Sequence, residues 1–128
     1  MKDLKFAHTM IRVVDPQKSV DFYEKGLGFH LDRVEKHPEW DYDLYFLSDP
    51  SRTAQIELTH NYGHGPYDMG TAYGHIALYT DDLLEAWKEL KDRGYEPGDY
   101  LRPDGSEKGY FFVNDPDGFQ VEIIQARK

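Results

Sequence analysis

Residues 8–29 read HTMIRVVDPQKSVDFYEKGLGF, and residues 75–95 read HIALYTDDLLEAWKELKDRGY. Each stretch begins with a histidine and a short run of alternating polar and apolar residues, which is typical of a half-buried β-strand. Each then continues into an apolar stripe with helical spacing and reaches a glycine. The two stretches are therefore predicted to be two copies of one strand–helix unit.

The two predicted copies also end alike. Residues 48–58 read SDPSRTAQIEL and residues 114–123 read NDPDGFQVEI, so an Asp-Pro turn precedes a strand that carries a glutamate in both. Weaker patterns predict the remaining strands near residues 30–36, 43–48, 99–102 and 109–113. Each half is thus predicted as β-α-β-β-β, and the glycine-rich residues 60–73 are predicted to connect the halves.

The same residue types mark the helix boundaries in both copies. An aspartate precedes each helix and can accept hydrogen bonds from the amides of the first turn, and glycine follows each helix. The predicted boundaries are Asp15 with Pro16 at the start and Gly26 or Gly28 at the end of the first helix, then Asp82 and Gly94 for the second.

Composition narrows the range of functions. A chain of 128 residues fits one domain, and 39% hydrophobic residues suit a folded globule. A net charge of −9 argues against nucleic acid and against an anionic membrane surface as partners. The sequence has no cysteine, so a metal site would use nitrogen and oxygen ligands. Because no apolar run resembles a signal peptide or a membrane span, we expect a cytoplasmic protein.

Four polar residues fall at equivalent places on the predicted strands, namely His8, Glu57, His75 and Glu122. Strand alternation puts each of them opposite an apolar face, so all four are expected to line one concave surface. Singly, each is best explained as a structural histidine or an ion-paired glutamate. Together they predict a nitrogen and oxygen site for zinc, nickel, cobalt, manganese or iron.

Four further histidines are weaker candidates as ligands. His60 and His64 are predicted to be exposed loop residues, because the glycines and proline that follow make a helix improbable. His30 and His37 are predicted to be solvated surface residues.

The segments HTMIRV, IELTHN, GTAYGHIAL and DPDGFQVEI together resemble glyoxalase I, the lactoylglutathione lyase family of the vicinal-oxygen-chelate superfamily, in its short bacterial branch. The resemblance covers about residues 7–125. It implies an α+β fold in which paired βαβββ modules form an open, cup-shaped mixed sheet. It further implies one glyoxalase-like domain over residues 1–128, with modules at about 5–60 and 73–126.

The resemblance also implies an enzyme and its site. The reaction would isomerise the methylglyoxal–glutathione hemithioacetal to S-lactoylglutathione through an enediolate. A homodimer would hold one divalent ion at each subunit interface, with His8 and Glu57 from one chain and His75 and Glu122 from the other. Nickel or cobalt is favoured and zinc is possible. Glu122 is expected to be the general base, and Glu57 to lie across the metal from it.

Glutathione is anionic, and a chain of charge −9 needs local cations to bind it. Arg12 and Asn61 match the family's glutathione contacts. Many members also carry a lysine in the loop before the penultimate strand. Here that loop is RPDGSEKG, residues 102–109, so Arg102 or Lys108 would have to substitute. The identity of the thiol, the physiological metal and the product stereochemistry stay open.

Other functions on the same fold remain alternatives. A dioxygenase or a thiol transferase of this superfamily normally uses three protein ligands, which leaves Glu57 without a role. An epimerase of the superfamily normally has glutamine in place of that glutamate. A metal-free binding protein gives no reason for two histidines and two glutamates at matched positions.

Overall fold

The computed structural model describes residues 3–99 and 109–127. These residues fall into two compact units, one within Met1–Tyr67 and the other within Asp68–Lys128. The division lies in the segment that the sequence predicts as the connection. That the two units act as modules of a single domain stays a prediction. Among the described residues, no helix has the length and apolar character needed to cross a membrane.

The first unit is built on a four-stranded mixed sheet with the order β1-β4-β3-β2. Strand β1 runs parallel to β4, and the other neighbours are antiparallel. A helix follows β1 along the chain and continues as a turn of π-helix. The elements are β1 (Thr9–Arg12), α1 (Pro16–Asp21), the π-helix (Phe22–Gly26), β2 (His30–His37), a 3₁₀ turn (Pro38–Trp40), β3 (Tyr42–Ser48) and β4 (Gln55–Asn61).

The second unit repeats this plan with three described strands in the order β5-β7-β6. Strand β5 runs parallel to β7, as β1 does to β4, and β6 is antiparallel to β7. The elements are β5 (Ile76–Thr80), α2 (Leu83–Asp92), β6 (Tyr110–Asn114) and β7 (Gln120–Gln125). Sheets that combine parallel and antiparallel pairs with few helices confirm the predicted α+β class. Apart from Asp99, the strand predicted near 99–102 lies outside the described residues.

Both predicted helix caps are confirmed. The Asp15 carboxylate accepts hydrogen bonds from the amides of Gln17 and Lys18, and that of Asp82 accepts one from the amide of Glu85. These bonds satisfy amides that have no carbonyl partner in the first turn. Gly28 and Gly94 follow the helices with φ of +78° and +88°, a conformation that favours glycine.

The alternation of polar and apolar residues along the strands predicts which side chains are buried in the core and which lie on the opposite face of each sheet. Apolar residues on one face of each sheet are buried with residues of the helical segments that pack against β4 and β7. The buried set of the first unit includes Ile11, Val13, Ile56 and Leu58 with Val20, Phe22 and Tyr23, and that of the second includes Phe111, Val113, Val121 and Ile123 with Leu83 and Leu90. The opposite faces carry His8 and Glu57 in the first unit and His75 and Glu122 in the second, together with apolar residues such as Phe46 and Phe112.

An aspartate before proline organises the turn that leads into each glutamate-bearing strand. The Asp49 carboxylate accepts hydrogen bonds from the amides of Thr53 and Ala54 at 2.8 and 2.9 Å. Asp115 accepts from the amides of Asp117 and Phe119, both at 2.9 Å, and is only 4% exposed. Burial raises the pKa of Asp49, but the hydrogen bonds outweigh burial and hold that pKa below its ordinary value.

We expect Asp115→Ala to lower the free energy of unfolding by about 2 kcal/mol, because the buried amide of Phe119 and the half-buried amide of Asp117 lose a charged acceptor. Asp115→Asn keeps one acceptor oxygen and is expected to lose less. Urea denaturation followed by circular dichroism measures both changes. Glu96→Ala, which removes an exposed carboxylate from a loop, is the control. An Asp115→Ala variant as stable as that control would contradict the role assigned to the turn.

Candidate metal centre

The first unit brings His8 and Glu57 together. His8 directly precedes β1, and Glu57 lies on β4 in register with Met10, the second residue after His8. The Nε2 atom of His8 is 2.6 Å from Oε2 of Glu57. The side chains are 34% and 14% exposed, respectively, so the pair is accessible without being fully solvated.

The second unit makes the same arrangement with His75 and Glu122. His75 directly precedes β5, and Glu122 is in register with Ala77, again the second residue after the histidine. The Nε2 atom of His75 is 3.2 Å from Oε1 of Glu122, and the side chains are 41% and 17% exposed. The histidine and glutamate positions that the sequence repeat predicts to be equivalent therefore also have the same register and a similar contact in the two units.

Each imidazole packs edge-on against a phenylalanine of the antiparallel neighbour strand. His8 meets Phe46 with ring centroids 5.6 Å apart at 79°, and His75 meets Phe112 at 5.4 Å and 78°. Each phenylalanine is also the register partner of the glutamate in its unit. These contacts restrict the ring planes of both histidines. Sequence reasoning missed both phenylalanines, because the only signal for them is the register between strands.

The donor atoms of the two pairs fit a divalent cation. In each pair a ring nitrogen lies beside a carboxylate oxygen, at 2.6 and 3.2 Å, and these are ligand types that zinc and neighbouring transition metals accept. Within residues 3–99 and 109–127, no three histidine or carboxylate side chains are grouped so that they could hold a metal ion. Each unit thus offers two ligands, and the union of both pairs in one centre stays a prediction.

Glu57 has a further partner that sequence reasoning missed. The hydroxyl of Thr59, two residues along β4, donates to Oε1 of Glu57 at 3.3 Å. Thr59 is 6% exposed. The strand pattern puts both residues on one face, which was a signal for their proximity but not for the hydrogen bond.

The two residues predicted to bind glutathione, Arg12 and Asn61, contact each other. Nη1 of Arg12 donates to Oδ1 of Asn61 at 2.8 Å. The hydroxyl of Tyr67 lies 3.5 Å from the same oxygen, and the ring of His64 stacks on Tyr67 with centroids 4.2 Å apart. Both hydrogen bonds are accepted by Oδ1, and the two N–H groups of the Asn61 amide have no acceptor among residues 3–99 and 109–127.

A second arginine lies on the same sheet face as Glu57. The guanidinium carbon of Arg33 is 3.7 Å from the centroid of the Phe46 ring, and its Nε donates to Glu35 at 2.7 Å. That hydrogen bond lowers the pKa of Glu35. The sequence pattern did not single out Arg33. The other two predicted cations, Arg102 and Lys108, lie outside the described residues.

The prediction for His60 was wrong. His60 lies in β4 and not in a loop, because the strand continues to Asn61 through its pairing with β3. Its Nδ1 atom is buried and has no hydrogen-bond partner in the described part of the chain. On the neighbouring strand the buried Asp43 accepts a hydrogen bond from Tyr62, which raises the pKa of Tyr62 to about 12. His60 faces away from Glu57 and takes no part in the pairs.

A family model and a similar curated protein indicate the same family for this chain. The family model "Glyoxalase/Bleomycin resistance protein/Dioxygenase superfamily" matches residues 5–123. A lactoylglutathione lyase of Escherichia coli O157:H7 is 43% identical over 130 residues, covering 97% of this chain and 94% of that protein.

Solved structures of glyoxalase I are similar in fold. The enzyme of Leishmania major, described as trypanothione-dependent, aligns with a TM-score of 0.82 and 36% identity over 96% of this chain and 87% of its own. Glyoxalase I from Zea mays aligns with a TM-score of 0.87 and 31% identity over 94% of this chain. The present chain spans only 44% of the maize protein. By the match over residues 5–123 and the identity to the E. coli protein, the chain belongs to the Glyoxalase/Bleomycin resistance protein/Dioxygenase superfamily and, within it, to the lactoylglutathione lyase family.

Proposed function

We propose that this protein is a metal-dependent glyoxalase I that isomerises the hemithioacetal of methylglyoxal and glutathione to S-lactoylglutathione. The observation that carries the proposal is the duplicated pairing of a histidine Nε2 with a glutamate oxygen, at 2.6 Å in one unit and 3.2 Å in the other. Lactoylglutathione lyase is the activity named for the E. coli relative.

The ligands we propose are His8, Glu57, His75 and Glu122. Two neutral imidazoles and two carboxylates balance the charge of one divalent cation, so the site can accept an anionic intermediate. We propose nickel or cobalt as the activating metal, since imidazole and carboxylate ligands suit both. When bound, the ion stabilises negative charge that develops on two neighbouring oxygens of the substrate.

We propose that each centre forms between two copies of the chain, with His8 and Glu57 from one subunit and His75 and Glu122 from the other. Two ligands from a single unit would leave a transition metal under-coordinated. Large apolar side chains near the ligands are exposed, which is typical of surfaces that another chain covers. Phe6, Met10 and Tyr79 are 83%, 41% and 76% exposed, and the first two flank His8.

Glu122 is the proposed general base. Its carboxylate takes a proton from one carbon of the hemithioacetal and returns it to the adjacent carbon, so the net change is an isomerisation. The Glu122 side chain is 17% exposed, so it is accessible to a substrate as a general base has to be. Glu57 is proposed to be the second carboxylate that would hold the metal.

Arg12 and Asn61 are proposed to bind a carboxylate of glutathione. Arg12 uses one of its five N–H donors on Asn61, and in the described part of the chain its remaining donors have no other partner. The N–H groups of Asn61 add neutral donors beside that cation. Such a local cluster offsets the overall charge of −9. We also propose a cytoplasmic location, because that compartment keeps glutathione reduced.

We expect Glu122→Gln to lower kcat by at least about 100-fold, because the amide cannot accept the substrate proton. The rate is measured from the absorbance of the thioester formed from methylglyoxal and glutathione. Glu85→Gln, on the exposed surface of α2, is the matched control. Near-normal activity of Glu122→Gln in a folded protein would refute its role as the base.

Removing divalent metal with a chelator is expected to abolish activity while the far-ultraviolet circular dichroism persists, since the metal serves the reaction and not the core. Nickel or cobalt added to the stripped protein is expected to restore more activity than zinc. Best restoration by zinc would overturn the choice of metal and leave the reaction assignment intact.

The shared site predicts complementation between two inactive variants. A His8→Ala/Glu57→Gln chain and a His75→Ala/Glu122→Gln chain each lack half of every centre. After unfolding and refolding together at equal amounts, mixed dimers contain one complete centre out of two. We therefore expect about a quarter of the parent activity from the mixture. A mixture as inactive as either variant alone would argue against ligands drawn from two subunits.

A further inference from the structure

Both carboxylate oxygens of Glu57 have a partner within the first unit. His8 meets Oε2, and the hydroxyl of Thr59 donates to Oε1. Because Thr59 is buried, water does not readily take over this hydrogen bond when the hydroxyl turns away. His8 is itself a proposed metal ligand, so Thr59 is the partner that holds the Glu57 carboxylate from outside the proposed set of ligands.

The equivalent position in the second unit is Ile124. It lies two residues after Glu122 on the same face of β7, and the register places it between β5 and β6 as it places Thr59 between β1 and β3. An isoleucine side chain cannot donate a hydrogen bond. In the part of the chain that the structure describes, the carboxylate of Glu122 has no partner other than His75.

This difference bears on which glutamate can act as a base. A carboxylate that is both a metal ligand and a base has to leave the ion and reach the substrate carbon before it can accept a proton. A carboxylate that also accepts a hydrogen bond from a residue outside the coordination shell resists that movement, because such partners hold metal ligands in place.

We infer that Thr59 is a positioning residue that keeps Glu57 in place as a permanent ligand, and that Ile124 leaves Glu122 free to move as the base. The inference rests on the proposed function, because it explains how two equivalent glutamates take different roles in one site. The repeat supplies an internal comparison, since at this position the first unit has a hydroxyl where the second has an ethyl group.

The first test compares Thr59→Val with Thr59→Ser. Valine keeps the shape of threonine and removes the hydroxyl, whereas serine keeps the hydroxyl. We expect the valine variant to bind Ni²⁺ about tenfold more weakly than the serine variant. Affinity is measured on metal-free protein by competition with a chromophoric chelator, which does not depend on turnover. Equal affinities of the two variants would overturn the inference.

The second test places a donor beside Glu122. Ile124→Thr and Ile124→Val remove the same part of the side chain and differ only by a hydroxyl in place of a methyl group. We expect the threonine variant to have about tenfold lower kcat than the valine variant, with similar KM and tighter Ni²⁺ binding, because the new hydrogen bond holds Glu122. Equal kcat values in the two variants contradict the inference.

The two proposals can fail separately. Full activity of Glu122→Gln would remove the basis of both. Loss of activity in Glu122→Gln, together with equal behaviour within the Thr59 pair or within the Ile124 pair, would leave the glyoxalase assignment standing and refute only the role given to Thr59.

Discussion

The parallel pairing of the first and last strands in each unit is the constraint on which the site depends. It sets Glu57 beside β1 and Glu122 beside β5, each at the level of the second residue after a histidine. Because successive side chains point to opposite faces, a slip of one residue would turn each glutamate into the apolar layer beneath the sheet. The buried aliphatic residues on that side fix the register of the strands, and the register keeps each glutamate on the same face as its histidine.

Much of the fold could be predicted because the repeat supplies every signal twice. The Asp15 and Asp82 caps and the Asp-Pro turns mark the same boundaries in both halves, and two weak signals at equivalent places support each other. Strand alternation then assigned His8 and Glu57 to one face, and the geometry of the first unit agrees with it. Helix caps, turns and strand alternation could be predicted because each depends on residues that are close in sequence.

Features that depend on contacts between strands could not be predicted. His60 was assigned to a loop because glycines and a proline follow it, yet pairing with β3 extends the strand to Asn61. Pairing between strands outweighs such breaker signals until the chain has left the sheet. The packing of Phe46 on His8 and the hydroxyl of Thr59 on Glu57 likewise follow from register and side-chain rotamers, which a single sequence does not specify.

The histidine and the glutamate of each pair lie roughly fifty residues apart along the chain, and they meet only when two parallel strands pair, a slow, long-range step in folding. A nascent polypeptide therefore carries no short chelating motif made of these side chains. If these side chains bind a metal as proposed, binding has to wait until the strands of each unit have paired. The topology of the sheets would thus set the time at which the proposed site can form.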